Sequence, residues 1–164
     1  MQNIRQGCVG SKYLTKLQSL DLSFNIIKAN GAYSIANSSN LCHLTSLDLS
    51  YNHISDEGVK SLSMSSALTN LTQLMLRSNN ITGRGIKDLF ASKQLMGVKR
   101  LFLSGNKIRL VGAQHMAMGD MFSRLERLDI IDTELTTDGE ELVRKAQKER
   151  ALAPLKILFT YRDY

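Results

Sequence analysis

One phrase of leucines recurs along the chain at intervals of about 27 residues, a period typical of repeat architectures. The phrase has the form L-x-x-L-x-L-x-x-N-x-I, and its copies begin at Leu17, Leu44, Leu71, Val98 and Leu125. A glycine follows every copy in the same register, at Gly31, Gly58, Gly85, Gly112 and Gly139. Units of this length cannot bury an apolar face alone, so they stack on their neighbours. The period therefore predicts a solenoid, in which each repeat contacts mainly the repeats beside it.

The leucines inside each phrase predict a short strand. Leu20 and Leu22 are two residues apart, which is the period of a strand with one face turned inward. The same spacing in the other copies predicts parallel strands near residues 19–22, 46–49, 73–76, 100–103, 127–130 and 157–160. The residues between the leucines then face outward.

Polar residues mark the end of each strand and the start of the helical segment that follows. We expect a column of buried amides, with threonine as its last member, to satisfy backbone groups of the turn. The column consists of Asn25, Asn52, Asn79, Asn106 and Thr133. Farther along, Ser55, Thr82 and Thr136 share one position and are predicted to be helix N-caps.

The repeats predict one domain over residues 1–164. Its repeats start at residues 17, 44, 71, 98 and 125, and residues 155–164 are expected to form a closing strand. Residues 1–16 read either as an N-terminal cap or as the remnant of a preceding repeat. The fifth repeat is longer, and its charged helix would shield the end of the solenoid.

The repeated phrase, with its following glycine, resembles the ribonuclease-inhibitor-like leucine-rich repeats over residues 14–163. The resemblance implies an α/β horseshoe with parallel strands on the concave face and helices on the convex face. It also implies a cytoplasmic protein that binds protein partners through the concave face. The segment LTSLDLSYNHISDEGVKSL resembles repeats of effectors that intracellular bacteria deliver into the host cytoplasm.

Residue patterns that carry catalysis or metal binding are missing from the sequence. The histidines His43, His53 and His115 occupy different repeat positions, and none has metal-ligand spacing. Asp21 and Asp48 are expected side by side on the concave face, but water reaches them freely, which argues against acid–base chemistry. We therefore expect no enzyme activity, no catalytic residue, no cofactor and no metal. No apolar run is long enough to span a membrane.

The outward strand positions predict a partner-binding surface. Met75 and Phe102 are expected side by side, facing solvent, with arginines around them, which is typical of an interaction hot spot. Two aromatic residues on the loop edge could extend this surface or could simply stack as structural filler. The predicted partner-binding residues are Met75, Phe102, Arg77, Arg100, Arg127, Asp21, Asp48, Asp129, Phe24 and Tyr51.

The charge of the chain leaves other functions open beside a monomeric protein-binding scaffold. Residues 71–124 carry nine Lys or Arg against two Asp, a net charge of +7. This stretch could bind an anion or a nucleic acid, although aromatic residues do not alternate with the basic ones as in single-strand binders. A GTPase activator resembling the Ran GTPase activator, and a fragment of a larger leucine-rich repeat protein, are further alternatives.

The two cysteines do not form a disulfide framework. Cys8 and Cys42 fall in different repeat registers. The sequence therefore predicts two free thiols and a reducing compartment.

Overall fold

The computed structural model describes residues 16–150 and 155–160, in which short strands alternate with helices. The strands are β1 (Ser19–Asp21), β2 (Ser46–Asp48), β3 (Gln73–Met75), β4 (Arg100–Phe102), β5 (Arg127–Asp129) and β6 (Lys156–Leu158). The helices are α1 (Lys28–Ala36), α2 (Ser55–Ser63), α3 (Gly83–Phe90), α4 (Arg109–Met118) and α5 (Thr137–Glu149). Turns of 3₁₀ helix lie at Ser39–Leu41 and Asp120–Arg124.

The strands form one parallel sheet whose order follows the chain from β1 to β6. Each helix packs against the next helix along the chain. Helices are wider than strands, so stacking them on one side curves the solenoid and leaves the strands on the concave face. The predicted α/β solenoid is therefore confirmed, and the first strands pair in the register of the repeat, as in Leu20 with Leu47 and Leu74 with Leu101.

The inward leucines of successive strands form a continuous core. Leu47, Leu74, Leu101 and Leu128 are fully buried, and Phe90 on α3 is among the largest buried side chains that pack with them. Burying each such side chain contributes roughly 1.5–3 kcal/mol to folding. The core therefore accounts for the period, because every repeat supplies the same apolar positions.

The asparagine column forms a buried ladder of hydrogen bonds, as predicted. Asn79 Nδ2 donates to the Leu49 carbonyl at 2.8 Å, while its Oδ1 accepts the backbone N–H of Asn52 at 3.0 Å. Asn106 repeats both bonds one repeat later. Asn25, at the first turn of the ladder, is exposed, so the prediction of a buried amide is wrong at that position. The buried amides satisfy backbone groups that neither strand nor helix reaches.

The predicted N-caps are confirmed at two of three positions. Thr82 accepts the backbone N–H of Arg84 at 3.3 Å, and Thr136 accepts that of Gly139 at 3.4 Å. The prediction for Ser55 is wrong. Ser55 is the first residue of α2 with a φ of +59°, and its hydroxyl donates to Glu57 Oε2 at 2.5 Å. This bond holds the pKa of the Glu57 carboxyl below its usual value.

The sixth strand lies one residue earlier than predicted. Arg127 pairs with Lys156 instead of Ile157, and Asp129 pairs with Leu158 instead of Phe159. Ile157 packs against the core and Phe159 joins it, as Leu128 does in β5. These apolar side chains set the register, so Lys156 and Leu158 take the alternate positions of the strand, where Lys156 is exposed and Leu158 is fully buried.

Cys42 is not a free thiol in the structure. The prediction of a free thiol at this position is therefore wrong, and the argument for a reducing compartment loses that support. Cys8 lies outside the described residues. None of the helices in the described ranges is long and apolar enough to cross a membrane.

Candidate interaction surface

The sheet aligns the outward side chains into two rows across the concave face. One row, from the third residue of each strand, reads Asp21, Asp48, Met75, Phe102, Asp129 and Leu158. The other, from the first residue, reads Ser19, Ser46, Gln73, Arg100, Arg127 and Lys156. The surface is therefore acidic and small at β1 and β2, and basic at β4 to β6. Sequence reasoning missed Lys156, because it assigned the sixth strand to the wrong register.

Phe102 is buried instead of facing solvent. Only 9% of its surface is exposed. The guanidinium carbon of Arg77 lies 4.5 Å from the centre of the Phe102 ring, and that of Arg127 lies 5.5 Å from it. Cations at such distances are attracted to the face of an aromatic ring. The expectation of an open Phe102 is wrong because two long side chains reach the ring.

An ion pair in the same region connects the end of β3 to β5, across β4. Arg77 follows β3, and its Nη2 lies 3.0 Å from Oδ2 of Asp129 on β5. The Nε of Arg77 also donates to Ser104 Oγ at 3.1 Å. Asp129 is fully buried, and its Oδ1 accepts the Ile131 N–H at 3.3 Å. The Arg77 guanidinium therefore interacts within the protein with both the Phe102 ring and the Asp129 carboxylate.

Met75 and Arg100 complete the central part of the predicted surface. Met75 is half-buried beside Phe102, and Arg100 is exposed beside Arg127 in the neighbouring strand. Because the centre of the group is internally paired, these residues do not form the open apolar patch that the sequence predicted. Their role in partner binding stays a prediction.

Asp21 and Asp48 lie side by side and make the same local bond. Oδ1 of Asp21 accepts the Ser23 N–H, and Oδ1 of Asp48 accepts the Ser50 N–H, both at 2.8 Å. The backbone and side-chain hydrogen bonds from Ser23 hold the pKa of Asp21 below its usual value. The two neighbouring carboxylates make this the anionic end of the concave face.

Phe24 and Tyr51 form an exposed aromatic stack at the edge of this anionic end. Their ring centres are 4.3 Å apart, and the ring planes differ by 9°. Phe24 is 74% exposed and Tyr51 is 44% exposed. The sequence left open whether these rings extend the binding surface or stack as structural filler. The rings do stack on each other and they are exposed, and their role in partner binding stays a prediction.

The turn that carries these rings does not require aromatic residues. Phe24 and Tyr51 have φ angles of +56° and +59°, in the left-handed region that is costly for bulky side chains. The same turn position holds small or polar residues in the later repeats, at Ser78, Gly105 and Asp132, all with positive φ. The exposed aromatic pair is therefore unexplained by folding alone.

Residues suited to metal binding do not gather in the part of the chain that the structure describes. No group of three or more His, Cys, Asp or Glu side chains is placed there to hold a metal ion. His53 instead lies with its Nδ1 3.3 Å from Nδ2 of Asn80 in the next repeat.

Comparison with known proteins identifies the repeats. A family model described as Leucine Rich repeat matches residues 13–36, 40–63 and 67–90. These three segments are leucine-rich repeats, and the described part of the chain continues the same α/β solenoid beyond them. Its fold is similar to a Caenorhabditis elegans structure titled as the tropomodulin C-terminal domain, with a TM-score of 0.59, 16% identity and 90% of each chain covered. At this identity the likeness shows the fold alone. No curated protein sequence is significantly similar to the chain.

Proposed function

We propose that this leucine-rich repeat protein is a protein-binding scaffold that contacts its partner around Phe24 and Tyr51. The observation that carries the proposal is the exposed aromatic stack beside the first two strands. Large aromatic side chains supply much of the binding energy at protein interfaces, and they do so when a partner removes them from water. Here two such rings are already held together, so little side-chain freedom is lost on binding.

The central part of the concave face is less suited to a partner than the aromatic stack. Arg77, Phe102 and Asp129 are engaged with one another, and a partner would have to separate Arg77 from a fully buried carboxylate to reach the ring. Breaking such a pair is costly. The aromatic stack needs no such rearrangement.

The proposal also covers the oligomeric state of the scaffold, its lack of catalysis and its cellular location. The protein acts as a monomer and performs no catalysis of its own, since its expected role is to present a surface. We further propose that it works in the cytoplasm, in host cells if it is a delivered bacterial effector. The similarity of its second repeat to effector repeats is the ground for that origin.

The variant Phe24→Ser/Tyr51→Ser tests the surface directly. Serine occupies the same turn position at Ser78, so the double variant should fold with a nearly unchanged urea midpoint. A loss of at least about 2 kcal/mol in binding, the usual threshold for a hot spot, corresponds to roughly 30-fold weaker affinity. Affinity purification from lysate, with quantitative mass spectrometry, should show the specific partner lost from the double variant.

A matched control is available on the helical side. Tyr33 on α1 is 61% exposed, so Tyr33→Ser removes a similar aromatic surface from the convex face. This variant should retain the partner at the wild-type level. If the partner is retained by the folded double variant and lost from the Tyr33 variant, the surface is wrong.

A further inference from the structure

We propose that Phe24, Tyr51, Asp21 and Asp48, here called the acidic aromatic edge, bind an arginine-containing segment of the partner protein. The inference rests on the proposed function and adds the chemistry that the partner must present. It starts from the combination of exposed rings and adjacent carboxylates at the same end of the sheet.

The two carboxylates are available to a cation. Asp21 and Asp48 stand on paired strands, so their backbones are about 4.8 Å apart. Each uses one oxygen for a backbone N–H, which leaves the second oxygen for another donor. Of the ion pairs between described residues, none involves Asp21 or Asp48. Among the described residues, the flanking row has Ser19 and Ser46 at this end and places no cation beside the two carboxylates.

The stacked rings add a surface that suits a guanidinium group. A cation over the face of Phe or Tyr is attracted by the electrons of the ring, and arginine is found in this arrangement more often than lysine. The planar guanidinium can stack on a ring and still donate hydrogen bonds to a carboxylate in its own plane. A ring beside a carboxylate therefore favours arginine over lysine, both through stacking and through hydrogen bonding.

The protein binds one of its own arginines with the same kinds of side chain. On the central strands, Arg77 lies 4.5 Å over the Phe102 ring and 3.0 Å from the Asp129 carboxylate. The acidic aromatic edge offers an aromatic face and carboxylates without an ion-paired arginine from the described residues. We infer that the partner supplies the missing guanidinium.

A peptide selection tests this chemistry without knowledge of the partner. A random peptide library displayed on phage is selected on the wild-type protein and depleted on the folded Phe24→Ser/Tyr51→Ser variant. Peptides that survive both steps should be enriched in arginine and poor in acidic residues. Enrichment of acidic or uncharged peptides overturns the inference, and so does the absence of any peptide that needs the two rings.

A second measurement separates the carboxylates from the rings. For a selected peptide, Asp21→Asn/Asp48→Asn should weaken binding at least about 10-fold, and wild-type affinity should fall as salt rises. Asparagine still accepts the N–H groups of Ser23 and Ser50, so the turns are kept. Glu141→Gln, an exposed carboxylate on α5, should leave affinity unchanged. Equal binding by wild type and the Asn double variant overturns the inference.

Changes in the peptide give an independent check. Replacing its arginine by citrulline, which keeps the shape and removes the charge, should abolish binding, and lysine should restore only part of it. The two proposals can fail separately. If selected peptides lack arginine while the lysate partner still needs Phe24 and Tyr51, the scaffold stands and the charge inference falls. If neither peptides nor partner need the rings, both fall.

Discussion

Replacing Asn79 by alanine should lower the free energy of unfolding by roughly 3 kcal/mol, since each buried polar group left unpaired costs about 1–3 kcal/mol. Asn79 is fully buried. Its Nδ2 donates to the carbonyls of Leu49 and Arg77, and its Oδ1 accepts the backbone N–H groups of Asn52 and Ile54. Alanine leaves these backbone groups without the amide. Urea denaturation followed by circular dichroism measures the loss.

Asn25 provides the control for this prediction, because it occupies the same repeat position. Its Nδ2 donates to the carbonyls of Leu22 and Ser23, but the residue is exposed and water can replace the amide. Asn25→Ala should therefore cost no more than about 1 kcal/mol, the net value of an ordinary hydrogen bond. Equal losses for the two variants would show that burial of the ladder does not determine its contribution.

Replacing Arg77 by alanine should lower the free energy of unfolding by about 2–3 kcal/mol, somewhat less than a fully buried pair because Arg77 is 30% exposed. The variant removes the Arg77 guanidinium from the buried Asp129 carboxylate and one cation from the Phe102 ring. In both thermal and urea unfolding, the midpoint of the Arg77→Ala variant should lie below that of the wild type.

A second variant identifies the source of that loss. Asp129→Asn in the Arg77→Ala background removes the buried negative charge, while Oδ1 can still accept the Ile131 N–H. The double variant should therefore regain part of the stability lost in Arg77→Ala. If the double variant is less stable than Arg77→Ala, the buried charge of Asp129 is not what destabilises the single variant.

Much of the fold could be predicted because every repeat solves the same packing problem. Leu47, Leu74 and Leu101 must be buried at equivalent places, so the constant spacing of the repeats predicts which strands pair and in which register. The buried amides of Asn52, Asn79 and Asn106 could be predicted for the same reason. The sixth strand could not be aligned from the period, because the fifth repeat is longer and because Ile157, Leu158 and Phe159 are all apolar, so hydrophobicity does not distinguish the inward positions.

The candidate site was harder to predict because it depends on long side chains that leave their own repeat. The spacing placed Phe102 beside Met75, but nothing in the spacing shows that Arg77 reaches across β4 to Asp129 on β5. The Arg77 side chain therefore covers the Phe102 ring, which the spacing alone predicts to be exposed. Phe24 and Tyr51 were identified as neighbours from the period, but their exposure depends on how far the turn projects from the sheet.

Photo-crosslinking from the aromatic stack tests the central claim most directly. A benzoylphenylalanine placed at position 51 keeps an aromatic ring at the edge, and one placed at position 33 samples the helical side. Irradiation in lysate should join the partner to the protein labelled at position 51 and not to the protein labelled at position 33. A specific adduct from position 33, with none from position 51, would contradict the proposal that the partner binds around Phe24 and Tyr51.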